Sequence, residues 1–402
     1  MFLNYVDRGN LATAAPVIKD ELGLSAAQLG VLMAAFSWTY TPCQLFAGWL
    51  IERINPYRTL ALGVGLWSLA TAATGFAGGF TSLILLRLVL GLGESAAFPA
   101  SSTLLARHLP PERLGRANGL IGMGISLGPA FGTFAGGMLV ARLGWRDIFI
   151  VFGAISLLWL WPWIARTRHA SGLQRGRTTA PGPAYLSILR QRAAWGVGLG
   201  HFSANYATYF VLSWLPYYLV KSRGFSVAHM AQTGGVIYLA YAASTALSGG
   251  MTDLLMHRGL SANLVRKGAA VLCHATIGAG LMLCALAPTD LSLAGLFIAA
   301  IGMGFNAAGI FAIGQTLAGP RAAPRWIGLQ NMAGNVAGMV GPIITGALVE
   351  HTGSFTIPFV VGALVALVGA LGWAVVIPKI APLDWRFEPM AELLPPADAH
   401  GA

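Results

Sequence analysis

Residues 291–318, LSLAGLFIAAIGMGFNAAGIFAIGQTLA, run for 28 positions without an Asp, Glu, Lys or Arg. Residues 356–378, TIPFVVGALVALVGALGWAVVIP, do the same. A helix needs about 20 apolar residues to cross a ~30 Å hydrocarbon core, and both stretches exceed that. Working outward, similar runs fall at about 26–51, 58–79, 82–106, 116–141, 145–166, 193–220, 229–252, 266–287 and 325–350. The opening segment, Met1 to about Pro16, is too short to span unaided. It lacks the basic n-region of a signal peptide. It reads as the second half of a first transmembrane helix, from a truncated chain or a misplaced start.

Composition agrees. Of 402 residues, 56% are hydrophobic and only 10% charged, where a soluble chain carries roughly a quarter charged. The predicted class is an all-α integral membrane protein of about twelve helices. The net charge of +11 raises nucleic acid as a partner, but the basic residues gather in loops, as expected beside anionic lipid, so no nucleic acid is expected. Cys43, Cys273 and Cys284 lie inside apolar runs and read as packing residues. No metal-ligand spacing is visible. Gly124 to Gly128 matches a hydrolase nucleophile pattern around Ser126, yet no strand precedes it, and the chain is not read as an enzyme.

Counting loop cations, 18 fall on one side and 5 on the other, which places both termini in the cytoplasm. The longest polar stretch, Arg166 to Arg192, is rich in Ser, Gly, Thr and Pro and reads as a linker between halves. The halves are alike: adding 213 to Gly115, Asn118, Gly128 and Pro129 lands on Gly328, Asn331, Gly341 and Pro342. Gly48 and Glu52 likewise find Gly249 and Asp253. Such internal symmetry marks a transporter built by duplication. The predicted organisation is a six-helix bundle over 1–166, a cytoplasmic linker over 167–192, a second bundle over 193–380 and a cytoplasmic tail over 381–402.

Gly48-Trp49-Leu50-Ile51-Glu52-Arg53-Ile54-Asn55-Pro56-Tyr57-Arg58 resembles the cytoplasmic signature of the major facilitator superfamily, with Glu52 for the usual Asp and Asn55 for the usual Gly. Asn4-Tyr5-Val6-Asp7-Arg8-Gly9-Asn10-Leu11, together with Arg87-Leu88-Val89-Leu90-Gly91-Leu92-Gly93-Glu94 and Phe98-Pro99-Ala100, is similar to the anion:cation symporter family. That resemblance implies two pseudo-symmetric bundles and proton-coupled symport of a small organic anion, a sugar acid such as an aldonate, hexuronate or aldarate. The other readings are a carrier or exchanger of aromatic or dicarboxylic acids, and a non-transporting membrane sensor or enzyme with this fold. The expected setting is the bacterial inner membrane, with lipid, proton and anion as partners, no cofactor beyond the coupling proton, and a monomeric chain.

Of the fourteen Asp and Glu residues only Asp7 and Glu94 lie well inside spans, and of the twenty-five Lys and Arg residues only Arg8 and Arg87. Each costs at least ~2.5 kcal/mol to insert, so each is a functional candidate. Arg87 and Glu94 stand two helical turns apart on one face. They are expected to pair, leaving Arg8 as the cation free for a ligand. A static ion pair holding two helices together is the plainer reading, although buried ion pairs are poor stabilisers. The resemblance implies that Asp7 and Glu94 carry protons, that Arg87 couples them and that Arg8 binds the substrate carboxylate. Tyr5 lies one turn from Arg8, and Tyr40 is expected across the cavity. Gln315 and Asn335 resemble cavity-lining positions of the second half. At Gln315 the sugar-acid carriers are expected to have Trp. His201, near Asn205, Tyr206 and Tyr209, is left outside this set.

Overall fold

A computed structural model describes residues 1–109, 111–168, 183–377 and 379–385. The middle of the predicted linker, 169–182, and most of the tail, 386–402, lie outside the described residues. So do the side chains of Trp49, Glu52, Arg53, Asn118 and Asp253, on which parts of the signature and the repeat rest.

The described chain is built from helices. They are α1 (Phe2–Glu21), α2 (Ala26–Arg53), α3 (Pro56–Thr74), α4 (Phe80–Glu94), α5 (Ala97–His108), α6 (Pro111–Leu143), α7 (Trp145–Thr167), α8 (Tyr185–Leu189), α9 (Arg192–Tyr217), α10 (Val227–His257), α11 (Ala262–Leu286), α12 (Thr289–Thr352) and α13 (Thr356–Leu371). Seven stretches are long and apolar enough to cross a membrane on length and composition. One of them, Phe80–Leu105, joins α4 and α5, and two come from α12, whose axis breaks at Gly319 with φ +66°. The others are α7, α13 and parts of α6 and α11. α1, α2, α3, α9 and α10 have 20, 28, 19, 26 and 31 residues, span-length but more polar. α1 is longer than the opening run to Pro16 suggested. It carries Pro16 inside the helix and reaches Glu21, about 30 Å in all.

Helix ends follow their side chains. Ser25 and Gln28 form a reciprocal capping box at the start of α2. Asn55 caps α3, its Oδ1 accepting from Tyr57 N at 2.9 Å, with φ +134°. That conformation favours glycine, which is the residue the signature usually has here.

In the first half, α1 packs on α6, α2 on α4, and α3 on α4 and α7. In the second, α11 packs on α12 and α13, and α9 on α12. α2 meets the second limb of α12, α6 meets α10, and α1 meets α9 across the halves. Small residues allow the approach: Gly30 lies against Pro342 O and Gly346, and Gly137 against Ala231. The repeat is visible as paired contacts, with Gly128 against Tyr5 of α1 and Gly341 against Tyr206 of α9.

At the end of the bundle where α1 stops, the halves are fastened by polar contacts. Lys221 pairs with Asp20. Glu350 Oε2 accepts from the backbone N–H of Ala26 at 2.7 Å and of Ala27 at 3.3 Å, so a carboxylate from α12 caps the positive end of α2.

Candidate functional site

Arg8 stands at the centre of the molecule on α1, 7% exposed. Its guanidinium lies 4.6 Å from the ring centre of Tyr5, 4.8 Å from Phe36 and 4.3 Å from Tyr40. Tyr5 comes from the preceding turn of α1, while Phe36 and Tyr40 are one turn apart on α2 and stack at 5.0 Å. Aromatic faces stabilise a desolvated cation by about 2 kcal/mol or more, which partly replaces lost water.

The anion in this box is Glu94. Arg8 Nε donates to Glu94 Oε2 at 2.8 Å, and Glu94 is fully buried. This corrects the expected Arg87–Glu94 pair. A seven-residue spacing puts two groups on one face but about 10.5 Å apart along the axis. Arg8, reaching over from the neighbouring helix, takes the carboxylate instead. Arg8 is therefore not left free: in this structure its ligand position is held by Glu94. The contact is single-pronged, and among the described residues neither Glu94 Oε1 nor Asn4 Nδ2 has a partner within hydrogen-bond distance.

Arg87 also lies near this ring, its guanidinium 5.2 Å from the centre of Phe36. It is buried, and its Nε has no hydrogen-bond partner among the described residues. Gly91, one turn along α4, makes the approach possible by resting against Phe36 O and Thr39 of α2. Asp7 follows a different direction from Arg8, since consecutive helical residues point about 100° apart. Its Oδ1 accepts from Asn10 Nδ2 at 3.4 Å, and its Oδ2 is buried with no partner within hydrogen-bond distance among the described residues.

In the second half, Asn335 Oδ1 accepts from the Tyr209 hydroxyl at 2.9 Å, and its Nδ2 donates to Asn331 O at 2.9 Å. Asn331 in turn donates to Gln44 Oε1 of α2 at 2.8 Å. Gln315 is exposed on the first limb of α12 and is not drawn into this network. The structure thus gathers Tyr5, Arg8, Tyr40, Arg87 and Glu94, sets Asp7 to one side, and leaves Gln315 apart.

Two residues beyond the predicted set belong here. Phe36 has both guanidinium groups within 5.2 Å of its ring centre, and its signal was its position one turn before Tyr40. Tyr209 holds Asn335 and fits over Gly338, next to Ser37 of α2. His201 is buried edge-on to Phe311 at 5.2 Å and lies under Gly334. His274 ties α11 to α9 through Gly200 O at 3.0 Å.

Comparison with known proteins identifies the family and the fold. The Major Facilitator Superfamily model matches residues 1–323 and 259–399. A probable sulfoacetate transporter of Cupriavidus necator is 30% identical over 92% of this chain and 90% of its own length. A D-galactonate transporter of Escherichia coli is 29% identical over 93% and 92%. A probable galactarate/D-glucarate transporter of Escherichia coli is 29% identical over 95% and 93%. In fold, the chain is similar to the crystal structure of a bacterial homolog of the human lysosomal transporter Spinster, inward-facing and occupied. The TM-score is 0.79 at 18% identity, over 93% of this chain and 94% of that one. The chain belongs to the Major Facilitator Superfamily and is a multi-pass membrane transporter, not an enzyme.

Proposed function

We propose that the protein is a proton-coupled symporter of a small organic anion, working by alternating access. The observation that carries this reading is the buried Arg8–Glu94 pair inside the Tyr5, Phe36 and Tyr40 box. A guanidinium can satisfy a protein carboxylate or a substrate carboxylate at this place. While Glu94 is ionised it occupies Arg8. When Glu94 is protonated it releases Arg8, and the anion takes its place through the charge-assisted contact that Arg makes well. Proton and anion therefore bind together. Asp7 is the second proton carrier, and Arg87, which shares the Phe36 ring with Arg8, links the two acids. Tyr5, Tyr40 and Asn335 contact the rest of the substrate, with Gln315 at the margin.

The substrates named for the relatives, galactonate, galactarate or glucarate and sulfoacetate, are all small organic anions and support that class. The sugar-acid expectation has its support in the same names. The membrane is the bacterial inner membrane with both termini in the cytoplasm, so the end fastened by Asp20, Lys221 and Glu350 faces outward. Residues 1–166 and 193–380 act as the two moving bundles of a monomer, joined by the cytoplasmic linker.

The test uses proteoliposomes and a labelled organic acid that raises the melting temperature of the purified protein. Glu94→Gln mimics the protonated acid. Anion exchange should persist while accumulation driven by a pH gradient is lost. Accumulation retained by Glu94→Gln would overturn the reading.

A further inference from the structure

The second limb of α12 runs antiparallel to α2 across the halves, with close approaches along its course. Ala26 stands by Glu350, Gly30 by Gly346, Ser37 by Gly338 and Gln44 by Asn331. From Ala26 to Gln44 is about 27 Å of helix, nearly the depth of a hydrocarbon core. Between those points the contact is made by glycines, which bring no side chain to interlock. Towards the two ends it is polar, and the two polar contacts differ in kind.

At one end, Glu350 Oε2 accepts from the N–H of Ala26 at 2.7 Å and of Ala27 at 3.3 Å, while Ser25 Oγ accepts from Gln28 N at 3.2 Å. The first turn of α2 thus takes one acceptor from its own N-cap residue, and a carboxylate from the other half serves the two N–H groups before it. Parting the halves here strips Ala26 and Ala27 of their acceptor and takes Glu350 from the positive end of a helix. Lys221 with Asp20 reinforces the same end. Towards the other end, Asn331 Nδ2 donates to Gln44 Oε1 at 2.8 Å, and parting the halves there breaks that contact instead.

We infer that Glu350 and the Gln44–Asn331 pair are opposed latches on one helix pair, each holding its own end shut, so that their balance sets which way the carrier faces. The inference rests on the alternating-access reading above, and in the orientation given there Glu350 latches the outward end. Glu350 is exposed, so water takes over its hydrogen bonds on opening, and the latch biases the cycle without locking it.

The experiment measures distances between spin labels in the full chain in lipid bilayers, with Cys43, Cys273 and Cys284 replaced by alanine. Arg142→Cys with Leu291→Cys, both exposed, reports the Glu350 end, and Arg58→Cys with Arg258→Cys the opposite one. Glu350→Ala should raise the long-distance population at its own end about threefold or more and lower it at the other. Glu350→Gln, which keeps an acceptor and loses the charge, should fall between. Asn331→Ala should shift both pairs in the reverse sense. Glu350→Ala leaving its own end unchanged, or both alanine variants opening the same end, overturns the latches. Distances that never change in any variant overturn alternating access and the latches with it. The expected shifts, beside a Glu94→Gln protein that still accumulates anion, support the latches while the proton-coupling reading falls.

Discussion

The first half buries Asp7, Arg8, Arg87 and Glu94 between α1 and α4, whereas no Asp, Glu, Lys or Arg of the second half is buried among the described residues. What the second half turns inward is neutral: His201, Gln330, Asn335, the Tyr209 hydroxyl, and the apolar side chains of Val211, Leu212, Ile237 and Met303 around a small cavity beside Tyr5. Two bundles with a common repeat have therefore diverged in what they offer a ligand. Buried charge is concentrated in one half, where Arg8, Arg87 and Glu94 share opposite charge or aromatic faces and Asp7 stands to one side. Under the proposed mechanism, moving one half against the other opens the site without separating the Arg8–Glu94 pair.

This contrast can be broken by substitution, and the largest effect is expected at Arg8. Arg8→Ala removes the anion contact and strands a buried carboxylate, a situation that costs about 3–5 kcal/mol. Its melting temperature should fall, and the double variant Arg8→Ala/Glu94→Gln should recover much of the loss. If the double variant is no more stable than Arg8→Ala, the pair is not what holds these groups. Arg8→Lys keeps the charge but loses the planar fork, and calorimetric affinity for the anion should drop roughly tenfold or more.

A smaller effect is expected at Asp7, which faces Asn10 rather than the aromatic box. Asp7→Asn should slow accumulation driven by a pH gradient while anion affinity changes by less than about threefold, because no contact to Arg8 is lost. A large affinity loss would place Asp7 in the anion site itself.

In the second half the changes should be modest and independent of coupling. Tyr209→Phe removes one neutral hydrogen bond and Asn335→Ala two, each worth about 1 kcal/mol, so KM should rise roughly fivefold in the first and somewhat more in the second, with proton coupling intact. Loss of coupling in either would erase the division between halves. Gln315→Ala, at an exposed position, should change KM by less than about twofold.

Much of this was legible in the sequence, and the exceptions have physical causes. Charge-free runs such as 356–378 report directly on helices in lipid, and α13 begins where that run does. The intramembrane ions were equally plain, because so few residues of that kind are tolerated there. Their partners were not. The spacing of Arg87 and Glu94 describes a face of one helix and says nothing of how far a neighbouring helix is rotated. That rotation, set by close approaches such as Gly91 against Phe36 O, decided that Arg8 holds Glu94. Phe36 escaped notice for a related reason: an aromatic residue in an apolar helix has no signature until a cation is found against its face. The small cavity beside Tyr5 combines residues from five helices and both halves, a juxtaposition that no local pattern encodes.

The central claim is that Glu94 and the anion compete for Arg8, so that a proton must enter with the anion. Calorimetric titration of an organic acid in buffers of different ionisation enthalpy counts the protons taken up on binding. The account predicts an uptake of about one proton per anion at neutral pH in the unmodified protein and none in Glu94→Gln. An unmodified protein that binds the anion without taking up a proton, or a Glu94→Gln variant that takes up as many, would contradict it.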